Sequence, residues 1–270
     1  MATARCESCA DFLVFTLSPD DDDPNPSSSA PATIPDDLAL PCGCHFHWQC
    51  LLDKSASITA TLTCPNCASY LPSGGPSSSS SSSTAAQPTP SILTHYTNEG
   101  GVQPSLDIYP TLLEESFLSA NPSARPARAF HTLAAEGEVQ GMVELLTDLS
   151  SPDSDSDDDD VTPLTPAQLL AWRDPLNGLR SALHVALEAG QEEAVWLLLW
   201  LGSAAKGEDF PGAVVEVARG LGLPRRGEGI LAGGGEDVRF VRDERGRSAE
   251  DVCLELGAPW TRLVEGGLFT

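Results

Sequence analysis

The sequence predicts a small cysteine-rich domain followed by an all-α module, with disordered linkers between and within them. Seven of the eight cysteines lie in the first 67 residues, where they stand in closely spaced pairs. Beyond them, the stretches that begin at Ala127, Thr165, Arg180 and Glu192 carry apolar residues at helical spacing, and none alternates with the period of a strand. The length of 270 residues fits two modest domains.

Three low-complexity stretches set the predicted boundaries. Ser18 to Asp37 is acidic and rich in proline and serine, Pro72 to Pro90 contains seven consecutive serines, and Ser150 to Pro166 is rich in aspartate. Each lacks the apolar residues that would offset the entropy of ordering. We therefore predict a first domain at residues 1–75 with a disordered insertion at 18–37, a partly ordered linker at 76–123, and a second domain at 124–270 with a disordered acidic loop at 150–166. Within the linker, Leu112 to Ala120 is predicted to form a short helix.

The charge and hydropathy of the chain argue against two classes of partner. The formal net charge is −24, with 39 acidic against 15 basic residues, so most of the surface repels a polyanion. The longest apolar stretch, Ala194 to Ala205, has 12 residues and is too short to span a bilayer. Met1 to Cys9 is polar, which predicts no signal peptide. We expect no nucleic acid, no membrane, and a cytoplasmic or nuclear location, where paired cysteines bind metal more often than they form disulfides.

Seven cysteines and one histidine form four pairs with the spacing of metal ligands. The pairs are Cys6-x-x-Cys9, Cys42-x-Cys44, His47-x-x-Cys50 and Cys64-x-x-Cys67. Residues one or two apart on a tight turn can hold one ion, and zinc takes four such ligands tetrahedrally. Eight ligands therefore predict two closed, structural zinc sites. His45 competes with Cys44 for its place in the set, although a thiolate is the softer ligand.

This order and spacing resemble the RING finger family, most closely in the run from Pro41 to Asp53 and in Cys64-Pro-Asn-Cys67. The resemblance implies a small, zinc-stabilised α+β domain in which the pairs interleave. It would place Cys6, Cys9, His47 and Cys50 on one zinc, and Cys42, Cys44, Cys64 and Cys67 on the other. A plant-homeodomain finger also uses seven cysteines and one histidine, but it expects a tryptophan where this chain has Leu62.

The RING resemblance also implies a ubiquitin ligase, which docks a ubiquitin-charged conjugating enzyme and positions it without a covalent intermediate or a catalytic side chain of its own. Pro65 matches the family at the docking surface, but three positions depart from it. Ser8 stands where a bulky aliphatic residue is common, Ala68 where a basic one is common, and the helix at Leu51 to Ser55 lacks the usual tryptophan. The alternative is an adaptor without catalytic activity, in which both halves only bind proteins.

Segments of the second half resemble the ankyrin repeat. Phe130 to Gly137 and Leu183 to Gly190 each contain a histidine six residues before the glycine and precede a leucine-rich run. A poorer third copy spans Asp243 to Val252. The resemblance implies stacked helix pairs that bind an unidentified protein partner. It also implies that His131 and His184 are structural hydrogen-bonding residues.

Overall fold

The computed structural model describes residues 4–16, 33–73, 90–150, 164–233 and 235–269, and the chain divides into two compact units, Met1–Ala120 and Asn121–Thr270. The serine run and most of the predicted insertion at 18–37 and acidic loop at 150–166 lie outside the described residues. In the part of the chain that is described, none of the helices has the length and hydropathy to cross a membrane.

The first unit contains two small antiparallel sheets. One pairs β1 with β2, and the other has the strand order β4-β3-β5-β6. The strands are β1 Val14–Thr16, β2 Thr33–Pro35, β3 Asp37–Ala39, β4 His45–Phe46, β5 Leu93–Asn98 and β6 Gly101–Asp107. Leu38 in β3 is the junction of the larger sheet, because it pairs with Phe46 on one side and Tyr96 on the other.

Three helices cover the core of this unit. They are α1 Trp48–Leu52, α2 Ser55–Thr61 and α3 Tyr109–Ala120, and α2 packs against α3. Each helix contributes a fully buried side chain to this core: Leu51 from α1, Ile58 from α2 and Leu112 from α3. The unit therefore has an α+β architecture in the residues that the structure describes.

No strand is predicted beyond the cysteine-rich domain, but Leu93–Asn98 and Gly101–Asp107 form the β5–β6 hairpin. The sequence carries no clear apolar alternation here because the buried position of β5 holds Thr94, which is polar, and Tyr96 is only partly buried, while most of β6 is exposed. The turn depends on Asn98, whose Oδ1 accepts a hydrogen bond from the Gly100 N–H at 2.9 Å. This hairpin and α3 belong to the first compact unit, although both fall in the predicted linker at 76–123.

The second unit is all-α in its described residues, apart from short 3-10 turns and one isolated bridge. Its helices are α4 Arg125–Glu136, α5 Val139–Asp148, α6 Pro166–Leu170, α7 Ala182–Ala189, α8 Glu192–Gly202, α9 Gly212–Gly220, α10 Ala249–Leu256 and α11 Thr261–Glu265. Three helix pairs, α4/α5, α7/α8 and α10/α11, occur in chain order with α6 and α9 between them, and α4 packs on α7 and α7 on α10. Gly137 and Gly190 end the first helix of two pairs with φ of +77°, a conformation that favours glycine. Membership of the ankyrin family stays a prediction.

Candidate metal centres

Two Cys-x-x-Cys turns in the first unit have the same backbone geometry. In the first, the Cys6 N–H donates to the Asp11 carbonyl at 2.9 Å and the Ala10 N–H donates to the Cys6 carbonyl at 2.9 Å. In the second, Cys64 and Ala68 repeat the pattern at 2.9 and 3.0 Å. Ala10 and Ala68 both have a positive φ, of 65° and 58°. Each turn thus directs two sulfur atoms to the same side of the chain.

The middle of the set is shaped by a third tight turn. The Gly43 N–H donates to the Leu40 carbonyl at 2.8 Å, and the Leu40 N–H donates to the Cys44 carbonyl at 2.9 Å. Gly43 has a φ of +85°, which a side chain would strain. The turn connects β3 to β4 and sets Cys42 and Cys44 on either side of the glycine. His47 and Cys50 follow, at the start and within the first turn of α1.

The structure brings the eight predicted ligands together in two groups of four. One group is Cys6, Cys9, His47 and Cys50, and the other is Cys42, Cys44, Cys64 and Cys67. In each group the four ligand atoms all lie within 4.8 Å of one another. The groups interleave along the chain. Cys42 and Cys44 of the second group lie between Cys9 and His47 of the first, and Cys64 and Cys67 follow Cys50.

His47 presents a defined nitrogen to the first group. Its Nε2 lies 2.9 Å from the carbonyl oxygen of Phe12, so that nitrogen carries the proton and donates it. Its Nδ1 faces the sulfur atoms of Cys9 and Cys50 at 3.3 and 3.8 Å. The lone pair therefore points into the group, and the hydrogen bond on the far side of the ring fixes the tautomer that a metal ligand needs.

The polar surroundings of the sulfur atoms suit thiolates. Backbone N–H groups of Ser8 and His47 donate to the Cys6 Sγ, each at 3.4 Å. Asn66 Nδ2 donates to the Cys44 Sγ at 3.5 Å, and the Cys67 Sγ lies 3.2 Å from the Ser69 hydroxyl oxygen. Such contacts lower the energy of a negative charge on sulfur.

The thiols of the two groups differ in pKa because their surroundings differ. Burial would raise the pKa of Cys6, but backbone N–H donors outweigh it and lower that pKa to about 7. The Ser69 hydrogen bonds lower the pKa of Cys67 to about 6. Burial, together with neighbouring thiols of the same group, raises the pKa of Cys42 and of Cys50 to about 12. Without a cation, each group therefore holds a mixture of thiol and thiolate at neutral pH.

These donor sets fit zinc. A tetrahedral zinc with Zn–S of about 2.3 Å and Zn–N of about 2.0 Å separates sulfur from nitrogen by about 3.5 Å. The distances from His47 Nδ1 to its two sulfur neighbours fall on either side of that value. A divalent cation would also offset the burial and the neighbouring thiolates that raise the pKa of Cys42 and Cys50. The two groups are thus compatible with two zinc ions.

His45, the competing candidate for the fourth position of the second group, lies outside both groups. Its Nδ1 contacts Asp37 Oδ1 at 2.6 Å across the β3–β4 pair, whereas Cys44 is buried within the second group. The two residues are neighbours in the chain, but Cys44 precedes β4, whereas His45 is its first residue and faces Asp37 of β3. Cys44 is therefore the residue that this geometry favours.

A buried carboxylate that the sequence analysis did not single out supports the site. Asp36 is 4% exposed, and both of its carboxylate oxygens accept from the Trp48 N–H at the start of α1, at 3.2 Å. The hydroxyl of Tyr96 on β5 donates to Asp36 Oδ1 at 3.0 Å. Asp36 therefore holds the helix that carries Cys50 and links it to the β5–β6 hairpin. No spacing in the sequence signals this contact.

The two repeat histidines of the second unit differ in their contacts. His184 Nδ1 lies 2.7 Å from the Ser181 hydroxyl, and its Nε2 lies 3.0 Å from the Arg247 carbonyl, which ties α7 to the turn before α10. The ring nitrogens of His131 have no hydrogen-bond partner among the described residues, and the ring packs edge-on against Trp172. Burial, with a smaller effect of the nearby Arg128 charge, lowers the pKa of His131 to about 4. Neither histidine joins a metal-ligand group in the described part of the chain.

Comparison with known proteins does not assign a family to the chain. Neither family models, nor curated proteins, nor solved structures give a match to the chain.

Proposed function

We propose that the first unit binds two structural zinc ions as a RING-like cross-brace and acts as a RING-type ubiquitin ligase or as a component of one. The observation that carries this proposal is the interleaving of the two ligand groups, with His47 aimed into the first. Two zinc ions shared in this way would connect segments that are far apart in the sequence. Such a domain presents a fixed surface to a partner although its apolar core is small.

The chemistry of such a ligase is positioning. The chain would hold a ubiquitin-charged conjugating enzyme in a reactive arrangement, while the conjugating enzyme supplies the thioester and the acceptor supplies the lysine. Apolar side chains available for contact lie beside the first group. Phe12, Val14 and Phe15 are 44%, 42% and 55% exposed, and the ring of Phe15 stacks on His47 at 5.7 Å between ring centroids.

A second candidate, a zinc-stabilised adaptor without ligase activity, is favoured by a specific observation. Leu51 is completely buried in the core and so offers no surface to a conjugating enzyme. Ser8 and Ala68 are exposed but small. Binding energy at protein interfaces concentrates in a few large anchors, and these positions lack them. Leu52, which is half-buried, and Pro65 are what remains of the family's docking positions.

For the second unit we propose recruitment of a protein partner by an ankyrin-like stack. The support is the resemblance of its repeats, together with three successive helix pairs in the structure. The His184 hydrogen bonds join one pair to the next turn, which is the structural role expected of that histidine. In this proposal the second unit selects the substrate and the first unit delivers ubiquitin to it.

Native mass spectrometry tests the metal part of the proposal. We expect two zinc ions per folded chain. Cys64→Ser should remove one of them, whereas Cys253→Ala, which changes a buried cysteine outside both groups, should retain two. A different stoichiometry in the unmodified chain would contradict the two-site arrangement.

Discharge of ubiquitin from a panel of charged conjugating enzymes onto free lysine tests the ligase part. Free lysine is the appropriate acceptor because the chain has only two lysines, Lys54 and Lys206. Acceleration that Cys64→Ser abolishes and Cys253→Ala preserves would establish a ligase. No acceleration across the panel, with two zinc ions bound, would favour the adaptor.

A further inference from the structure

Helix α9 leaves an apolar face uncovered. Of its nine residues, only Ala218 is buried. Val217 is 61% exposed, and Leu221, at the end of the helix, is 64% exposed. A contiguous exposed apolar surface of this kind is a common mark of a protein-binding site.

The uncovered face continues into a groove on the second unit. One hollow, of about 630 Å³, lies between α9 and the Trp260–Leu263 segment, and a second, of about 300 Å³, runs along α9 toward Leu221. Both hollows share Trp196 of α8 and Val214 of α9 as walls. The two hollows therefore adjoin along α9, and we call them together the α9 groove.

The rim of the α9 groove is acidic. Glu192 and Asp209 line the larger hollow and Glu193 lines the smaller one. All three are exposed, so their charges face the solvent at the mouth of the groove. Arg262 is the single basic residue among the groove-lining residues that the structure describes. An apolar floor with an acidic rim complements a ligand with an apolar stripe and basic flanks.

We propose that the α9 groove docks a short amphipathic helix of a partner protein, with leucine-like residues on one face and lysine or arginine beside them. The nine residues of α9 extend over about 13 Å, which matches two to three turns of a docked helix. Its apolar residues at i, i+3 and i+7 would occupy the two hollows, and its basic residues would approach Glu192, Glu193 and Asp209. This inference specifies the partner of the recruiting unit in the proposed function, and it holds whether or not the first unit is a ligase.

Charge argues for a foreign helix over a second copy of this chain. The chain carries a formal net charge of −24, so a second copy would bring mainly acidic surface to an acidic rim. Like charges at a rim oppose association, whereas a basic helix is attracted to it.

The test uses the full chain and a fluorescent model helix of about 14 residues, with leucines at i, i+3, i+7 and i+10 and lysine or alanine elsewhere. Two control peptides replace every lysine with glutamate or scramble the order of the same residues. We expect the lysine helix to bind, with fluorescence anisotropy as the readout, and both controls to bind at least about ten-fold more weakly.

Matched variants localise the binding. Glu192→Lys with Glu193→Lys, and separately Val217→Asp, should each weaken the lysine helix by about ten-fold or more. Glu236→Lys with Glu244→Lys changes the net charge by the same amount at exposed positions that line neither hollow, and it should leave binding unchanged. Thermal melts of the variants confirm that each is folded.

Three results would overturn the proposal. The first is equal binding of the lysine and scrambled helices, and the second is equal loss in the control variant. The third is a dimer in sedimentation that Val217→Asp dissociates, since it would assign the groove to a second copy. Because the assay contains no ubiquitin or conjugating enzyme, its failure is independent of failure of the ligase.

Discussion

The first and second units bury apolar side chains on different scales. Among the described residues, the core of the first unit contains 14 buried residues, three of which are cysteines of the metal-ligand groups. The core of the second unit contains 30, drawn from most of its helices, and its one cysteine, Cys253, lies outside both groups. The first unit has a smaller core and eight clustered ligands, whereas the second has a larger core and no ligand group among its described residues.

The two units should therefore respond to different perturbations. A small domain with a limited core needs an additional source of stability, and a structural metal supplies it. A stack of helix pairs obtains stability from burial between neighbouring pairs and needs no metal. Removing metal and removing a core side chain should therefore act on separate units.

The largest expected effect is that of chelation. Structural zinc contributes about 10–16 kcal/mol of binding free energy in small zinc domains, which is more than the stability of a typical domain. A strong chelator at neutral pH should therefore unfold the first unit and leave the second folded. Hydrogen exchange measured by mass spectrometry should show loss of protection at residues 33–73 and retention at residues 182–202. Unchanged protection in the first unit would contradict a metal-dependent fold.

The second-largest effect is expected for Phe130→Ala, which perturbs the core of the second unit and leaves the ligand groups of the first unchanged. Phe130 on α4 is fully buried, and its truncation should cost about 3–5 kcal/mol because a cavity replaces a packed ring. The second unit should lose stability in urea while the chain retains its zinc. Leu254→Ala is a suitable control, since Leu254 is 56% exposed and its truncation should have little effect. Loss of zinc in Phe130→Ala would show that the units are not independent.

Acid should weaken the second unit through His131. Its pKa is lowered from 6.5 to about 4 in the folded chain, so the unfolded chain takes up a proton more readily. The stabilising contribution is fully present above pH 6.5 and is lost as the pH falls toward 4, with a total of about 3 kcal/mol.

The measurement is urea denaturation of the second unit between pH 7 and pH 4, followed by exchange of residues 125–148. His131→Gln should reduce the dependence in that range without removing it, because burial also lowers the pKa of His184 in the same unit. The pKa values of Asp237 and Asp243 are lowered from 3.8, so those carboxylates lose their contribution only at more acidic pH. A slope unchanged by His131→Gln would contradict the assignment.

The smallest of these effects concerns the hydrogen bond between the β5–β6 hairpin and Asp36. Tyr96→Phe removes the hydroxyl that donates to Asp36 and should destabilise this unit by about 1 kcal/mol. Tyr70→Phe, at a residue that is 50% exposed, serves as the control. Chelator titration monitored by circular dichroism compares the two variants. If Tyr96→Phe matches the control, the hairpin does not contribute to holding α1.

The helices of the second unit could be predicted because their apolar residues recur at the period of a helix. The stretches starting at Ala127 and Glu192 fall within α4 and at the first residue of α8. The β5–β6 hairpin could not, since one of its strands is mostly exposed and contains Pro104, and the inward positions of the other hold polar or amphipathic residues. Strand assignment there depends on pairing with β3, which is distant in the sequence.

The four ligand pairs were accessible from the sequence because paired ligands must share short turns. The division of these pairs into two groups was an expectation from the RING resemblance. The contacts that orient the ligands and hold α1 in place could not be predicted from the sequence. The Phe12 carbonyl that orients His47 is a backbone atom, and every residue has one, so no residue type reveals it. Asp36 belongs to an acidic stretch that resembles a solvated linker, yet it is buried against α1.

The interleaved order of the ligands has a consequence during protein synthesis. The first group is complete only when Cys50 has been made, and the second only when Cys67 has been made. At about 5–20 residues per second, Cys6 and Cys9 wait for His47 and Cys50 for about two to eight seconds. During this interval the thiols of Cys6 and Cys9 lack the other two ligands of their group. The direction of translation thus completes the ligands of the histidine-containing group before those of the all-cysteine group.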